Sequence, residues 1–244
     1  MPCRRVDPIV GFKTLDAGGT VCLFFMGREA RRKIERAFQV DATAVVEIYN
    51  DVGSVSIEGS EGQKVWVQAI ARAWGSILGP SPQRQLDEIK VEMTQKNSHI
   101  YITGRVPQHL LQRRSPCVDM ILRVPRQCDL VLDDNVGSVE INNLRGAFQI
   151  QVKAGNIKAL HISPDRDSSF TVDVGNIAIA MPRDSSFQLR ASAQVGSINC
   201  AFEVRGARDH PFGPGAQVEG QVGGHPSVRL NLRARVGAIT LKGY

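Results

Sequence analysis

A short motif, Val-Gly-Ser/Asn-Val/Ile with small variations, returns along this chain at Gly53, Gly137, Gly155, Gly175, Gly196 and Gly237. From Gly137 the intervals are 18, 20, 21 and then 41 residues. A period near 20 residues is the mark of stacked repeat units, each too small to bury its own apolar face. Whatever else the chain does, most of it must coil upon itself.

Aligned on the glycine, the preceding position holds Val52, Val136, Ala154, Val174, Val195 and Val236. Two places after it come Val55, Val139, Ile157, Ile177, Ile198 and Ile239, and four places after come Ile57, Ile141, Ala159, Ile179, Cys200 and Leu241. The place between those two carries Ser56, Glu140, Lys158, Ala178, Asn199 and Thr240. The period is two, the spacing of a strand with one face in a core and one in water. All three apolar columns are expected to point inward. The glycine between two strands implies a bend with positive φ or a close backbone approach. The residue after it is Ser54, Ser138, Asn156, Asn176, Ser197 or Ala238, mostly short polar groups able to cap a corner.

A second alternating stretch precedes each glycine, as in Val46-Glu47-Ile48, Leu130-Val131-Leu132, Phe148 to Val152, Phe187-Gln188-Leu189 and Val228 to Leu232. Each repeat therefore supplies two strands. Arg-Asp-Ser-Ser-Phe occurs twice, at Arg166 to Phe170 and Arg183 to Phe187, and reads as a turn copied with its unit.

The expected fold is all-β, a β-solenoid or β-helix-like array of about 20-residue two-strand repeats, preceded by strands and a hairpin. Residues 1–37 read as an irregular basic N-terminal segment and 38–244 as a single β-strand-repeat domain. Within the latter, 38–126 supply opening strands and a hairpin, and 127–244 the array. Residues 203–226, with six glycines and three prolines, read as a loop excursion. The hairpin is Ile89 to Met93 and His99 to Ile102 around Lys96-Asn97-Ser98.

Net charge is +6, and residues 1–40 hold eight Lys/Arg against four Asp/Glu, so +4 of it sits there. Arg28 to Arg36 is a dense charged run. It fits a basic helical patch for acidic lipid or a polyanion. It fits better a solvated helical turn or strand entry with Glu29–Lys33 and Arg31–Glu35 pairs. The cysteines, Cys3, Cys22, Cys117, Cys128 and Cys200, are odd in number and contain no Cys-x-x-Cys pair, which argues against a disulfide framework. Cys200 falls in an inward column, as a small hydrophobe.

No catalytic, cofactor-binding or metal-ligating residue emerges. His99, His109, His161, His210 and His225 lack zinc-type spacing, and no nucleophile elbow is present. Asp133 and Asp134 are adjacent, so on a strand they point to opposite faces and cannot share a substrate; they and Asn50-Asp51 read as turn chemistry. The position two before each glycine reads Asp51, Asn135, Lys153, Asp173, Gln194 and Arg235, whose mixed charges argue against a calcium column. Scarce aromatics argue against nucleic acid as a partner. No apolar run approaches the length of a transmembrane segment. No export signal is visible either, which points to the cytoplasm.

Val46 to Gly59, followed by Lys64-Val65-Trp66-Val67 and Leu122-Arg123-Val124-Pro125, resembles a bacterial family of putative adhesins, a β-strand repeat domain of unknown function. The resemblance spans about residues 38–244. It implies a solenoid-like all-β domain, often associated with the cell envelope, and carries no catalytic residues. The expected role is non-enzymatic, adhesin-like binding of an unknown protein, glycan or envelope component through outward residues such as Glu140, Lys158, Gln151 and Arg233. Two alternatives stand beside it. One is a self-assembling scaffold, a homo-oligomer formed through the C-terminal repeat and its exposed edge. The other is a β-helix enzyme acting on polysaccharide.

Overall fold

The computed structural model describes residues 11–15, 19–26, 29–40, 44–75, 81–111, 116–209 and 214–244. Two sheets, of eleven and ten strands, face each other across one apolar core. Each repeat contributes one strand to each sheet, and the glycine sits at the corner between them. The unit of Gly137, for example, is Cys128–Val136 followed by Val139–Asn142. Neighbouring units pair parallel and in register, Leu132 beside Ile48 and Ile150, Ile141 beside Ile57 and Ala159.

The core follows the alternation. In the ten-stranded sheet Val46, Ile48, Leu130, Leu132, Phe148, Ile150, Val152, Leu189, Leu230 and Leu232 are buried. Facing them are Val55, Ile57, Val139, Ile141, Ile157, Ile177, Ile179, Ile239 and Leu241. Stacking identical shapes in register lets Phe148 and Phe170 meet ring to ring at 6.0 Å.

The column before the glycine departs from the expected inward set. Val136, Val174, Val195 and Val236 are 43–51% exposed. In each parallel pair the register skips the residue two before the glycine, as where Asp134↔Val152 is followed by Val136↔Ala154. The strand bends one residue early, and the last side chain emerges outside the core instead of within it. A ladder of exposed aliphatics thus runs along the corner.

At the corner the backbones touch. A Cβ on Gly175 would lie 1.7 Å from the Gly155 carbonyl oxygen, and one on Gly237 would lie 1.7 Å from that of Gly175. The φ of Gly175 is +139°, which side-chain-bearing residues rarely adopt. Each corner also bonds its neighbour, with Gly155 N–H on Val174 O and Ile157 N–H on Asn176 O, both 2.9 Å. Asn156 Oδ1 accepts from Asn176 N–H at 3.0 Å and Asn176 Oδ1 from Ala238 N–H at 2.9 Å, so the short polar column does cap the turns.

The spatial order differs from the chain order at the end. Arg229–Val236 lies between Ser168–Val174 and Phe187–Val195, and Ile239–Gly243 between Ile177–Met181 and Ile198–Cys200. The C-terminal repeat is inserted into the array, with both edges paired, and offers no free edge for self-association. Residues 203–226 are not a simple loop. Val204–Asp209 and Ala216–Val222 form a hairpin that pairs antiparallel on the outer edge of Phe187–Val195. Its outermost strand carries a register shift between Arg205 and Arg208, a bulge of the kind that blunts edge pairing.

The other end is closed by the expected hairpin, Lys90–Lys96 with His99–Arg105, and by an antiparallel meander. The meander includes Gly11–Leu15, Gly19–Met26 and Glu29–Gln39, so the N-terminal segment is not irregular and the boundary at 37/38 falls within a strand. In the charged run, partners are two residues apart, as a strand requires: Arg31 with Glu29 at 2.8 Å and Lys33 with Glu35 at 2.9 Å. The helical pairing at four residues does not form. The alternate side chains Arg32 and Arg36 reach across the end of the core to the carbonyls of Ile89 and Met93. Positions Cys3 and Arg28 lie outside the described residues.

Replacing Gly175 with alanine is expected to cost about 3–5 kcal/mol, through backbone overlap and a strained φ. Gly224→Ala, where a Cβ would meet nothing within 4 Å, is expected to be nearly neutral. Urea denaturation of the two variants checks this.

Candidate binding surface

The six repeat glycines form one column in the order Gly53, Gly137, Gly155, Gly175, Gly237, Gly196, and the nearest atom to each is a backbone carbonyl oxygen. They shape the corner and leave binding to the side chains around it. Two surfaces stand out beside them.

The first is a cleft of about 570 Å³ where the strands of the Gly53, Gly137 and Gly155 units end against the segment that follows His99–Arg105. Asp51 anchors it. Its carboxylate accepts from Tyr49 Oη, Asn135 Nδ2 and Val106 N–H, each at 2.9 Å. That bond to the Asp51 carboxylate is the main reason the Tyr49 phenol is held above its usual range. The Arg105 guanidinium lies 5.2 Å from the Tyr49 ring centre. Lys90, Arg105 and Lys153 line the cleft and have no acidic partner among the described residues, whereas Glu88 is tied to His109 at 2.8 Å. The column two before the glycine thus works by pairing neighbours: Asp51 with Asn135, and Asp173 with Arg235 at 3.6 Å.

The second is the outward face of the ten-stranded sheet. In-register pairing lines up Gln217, Ser192, Arg233 and Thr171, and continues the same row through Gln151, Asp133 and Tyr49 to Thr103 and Glu92. Every member has a side chain able to donate or accept a hydrogen bond, and at about 4.8 Å per strand the row extends roughly 38 Å. A parallel row runs Glu219, Arg190, Asn231, Ser169. A third runs Arg205, Gln221, Gln188, Arg229. Of the outward residues singled out in the sequence, Gln151 and Arg233 share the first row. Glu140 and Lys158 lie on the other sheet, joined at 2.8 Å.

Asp133 and Asp134 point to opposite faces as expected, but neither Asp134 nor Asn50 is in a turn. Both are strand residues, fully buried and side by side beneath the corner. Asn50 Nδ2 donates to Gly53 O at 3.2 Å. Neither oxygen of Asp134 nor Asn50 Oδ1 has a donor. Burial pushes the Asp134 carboxyl up to about 7, helped by the charges of Asp133 and Asp51 and softened by Asn50. A protonated Asp134 would supply the donor that Asn50 Oδ1 lacks. Alternation from Ile48 and Leu132 puts Asn50 and Asp134 on the inward face, but their being neighbours follows only from the strand pairing.

Cys117, Cys128 and Cys200 behave as packing groups. Burial pushes the Cys128 thiol up to about 12 and Cys117 up to about 11, and raises that of Cys200. No helix among the described residues is long and apolar enough to cross a membrane.

Because the folded-state value for Asp134 lies above the roughly 3.9 of an unfolded aspartate, the native chain holds an extra proton between about pH 4 and 7. Its contribution to stability therefore falls as pH rises through that window and is flat above it. Asp134→Asn should remove this dependence and add about 2–4 kcal/mol at pH 8. Denaturation of both proteins at pH 5 and pH 8 measures the difference.

Comparison with known proteins agrees with this architecture. A crystal structure described as a putative cell adhesion protein from Clostridium sporogenes superposes with a TM-score of 0.62 at 15% identity, over 86% of this chain and 99% of that one. A putative adhesin from Bacteroides fragilis gives a TM-score of 0.43 at 18% identity, over 87% and 97%. No curated protein matches the sequence. The model of the Toastrack DUF4097 family, a domain of unknown function, matches residues 91–212, half of the chain, and the chain belongs to that family.

Proposed function

We propose that this protein is a non-enzymatic, adhesin-like binding domain, and that the outward face of its ten-stranded sheet is the surface that holds a polysaccharide. The observation that carries this reading is the unbroken row from Gln217 to Glu92. Side-chain amides, hydroxyls and guanidiniums recur there at strand spacing on a rigid support. A chain of sugars presents hydroxyls at similarly regular intervals and matches such a row without any deep pocket. The cleft beside Tyr49 gives the row a recessed end. The fold shared with the crystal structure described as a putative cell adhesion protein supports the reading.

The geometry favours binding over turnover. Asp51, the carboxylate of the cleft, is saturated by three donors, Glu88 is held by His109, and Asp134 lies beneath the surface. Among the described residues of the cleft, no two free carboxylates converge on one substrate position. The scaffold alternative loses its premise with the C-terminal repeat paired on both sides.

Purified protein passed over immobilised polysaccharides, neutral and acidic, should be retained by at least one of them and should release no reducing ends during overnight incubation. Passage through all of them unretained, or steady release of oligosaccharide, would refute the proposal.

A further inference from the structure

The three rows at the C-terminal end of the ten-stranded sheet are not a neutral polar surface. They bring Arg190, Arg205, Arg229 and Arg233 onto one face, with Glu219 as the acid set among them. Arg190 Nε stands 3.7 Å from Glu219, too far for a hydrogen bond, and its side chain is 64% exposed. Arg205, Arg229 and Arg233 have no acidic partner among the described residues. Asp167 engages the backbone N–H of Arg229 at 2.9 Å.

Strand geometry fixes how these groups are spread. Arg229 and Arg233 are four residues apart on one strand, roughly 13 Å at about 3.3 Å per residue. Arg190 pairs with Asn231, midway between them and one strand across, and Arg205 lies further out in the row of Arg229. Three shallow depressions of about 330, 450 and 350 Å³ separate the arginines. Their floors are Gln188, Gln217, Gln221, Ser192 and Asn231.

We infer that this arginine field is a binding site for an acidic polysaccharide, a chain carrying a carboxylate on its sugars at regular intervals. The inference deepens the proposed function and rests on it. A guanidinium presents a planar fork that matches a carboxylate in two parallel hydrogen bonds and is only weakly hydrated. Exposed guanidiniums at spaced intervals on a flat face match separated charges along an extended polymer better than one compact anion. The intervening amides and hydroxyls donate to and accept from sugar hydroxyls. A polynucleotide also presents spaced anions, but among the described residues this face has no aromatic ring between the arginines on which a base could stack. The insertion of the C-terminal repeat creates the field, since Arg229 and Arg233 meet Arg190 only because Arg229–Val236 lies beside Phe187–Val195.

Polygalacturonate, dextran and duplex DNA serve as probes, with affinities measured at low and moderate salt. The triple variant Arg190→Ala, Arg229→Ala, Arg233→Ala is compared with Lys64→Ala, Lys158→Ala, Lys242→Ala, which removes the same charge from exposed lysines of the other sheet. Melting temperatures establish that both are folded. The wild-type chain should bind polygalacturonate at least tenfold more tightly than dextran. The arginine variant should lose about 100-fold in affinity, on the scale of a pair of charge-assisted hydrogen bonds, while the lysine variant loses less than about threefold. Equal losses in the two variants would overturn the site, since binding would then follow net charge. Dextran held as tightly as polygalacturonate, with no effect of the arginines, would overturn the acidic class and leave polysaccharide binding standing. DNA held as tightly through the same arginines would overturn the saccharide assignment. Retention of no polysaccharide at all would remove both this inference and the function beneath it.

Discussion

The architecture depends on backbone lying directly against backbone at one corner. Where Gly155 meets the carbonyl of Gly137, and Gly175 that of Gly155, there is no room for a Cβ. That contact sets the spacing and register of neighbouring coils. Once it is made, the inward side chains of successive units stack in columns, and the N–H and C=O groups of the turn pair with the next coil instead of being left without partners. The hydrophobic core supplies most of the driving force, but the glycine column decides which residue stands over which. The same register carries arginine next to glutamine and asparagine on the outside, so the binding surface follows from the corner as directly as the core does.

Much of this was legible in the sequence because period-two alternation and a recurring glycine are strong local signals. The inward columns at Val55, Val139 and Ile157, the hairpin around Asn97 and the capping role of Asn156 and Asn176 follow from residue chemistry alone. The exposed valines did not, since parity places Val136 and Val174 inward and only the bend one residue before the corner turns them out. The charged strand Glu29–Gln39 was ambiguous for a related reason. Its charges satisfy both a helical and an extended pairing rule, and the choice is made by strands on either side.

The position of the last repeat was beyond sequence reasoning altogether. Units with the same columns can pair with any other unit in parallel register, so alternation cannot say which neighbours which. The decision lies in the connections. The chain leaves a vacant position after Met181, forms the unit of Gly196, turns back through an antiparallel hairpin and then fills the space it left. In the ten-stranded sheet both ends of the array carry antiparallel hairpins, which suits a domain that presents that face to a polymer, while Ile198–Cys200 is an edge of the other sheet. The candidate site was hidden with it, because Arg190 and Arg229 are neighbours only in this order.

Crosslinking at the outward positions Ala178, Thr240 and Asn199 tests that order most directly. In the structure Thr240 pairs with both of the others, so Ala178 and Asn199 are two strands apart. A disulfide needs Cα atoms within about 7 Å, whereas two strand spacings amount to roughly 9.6 Å. Ala178→Cys with Thr240→Cys should form an intramolecular disulfide on mild oxidation, identified by peptide mapping, and Ala178→Cys with Asn199→Cys should not. The opposite pattern would place the C-terminal repeat at the end of the stack and contradict the account.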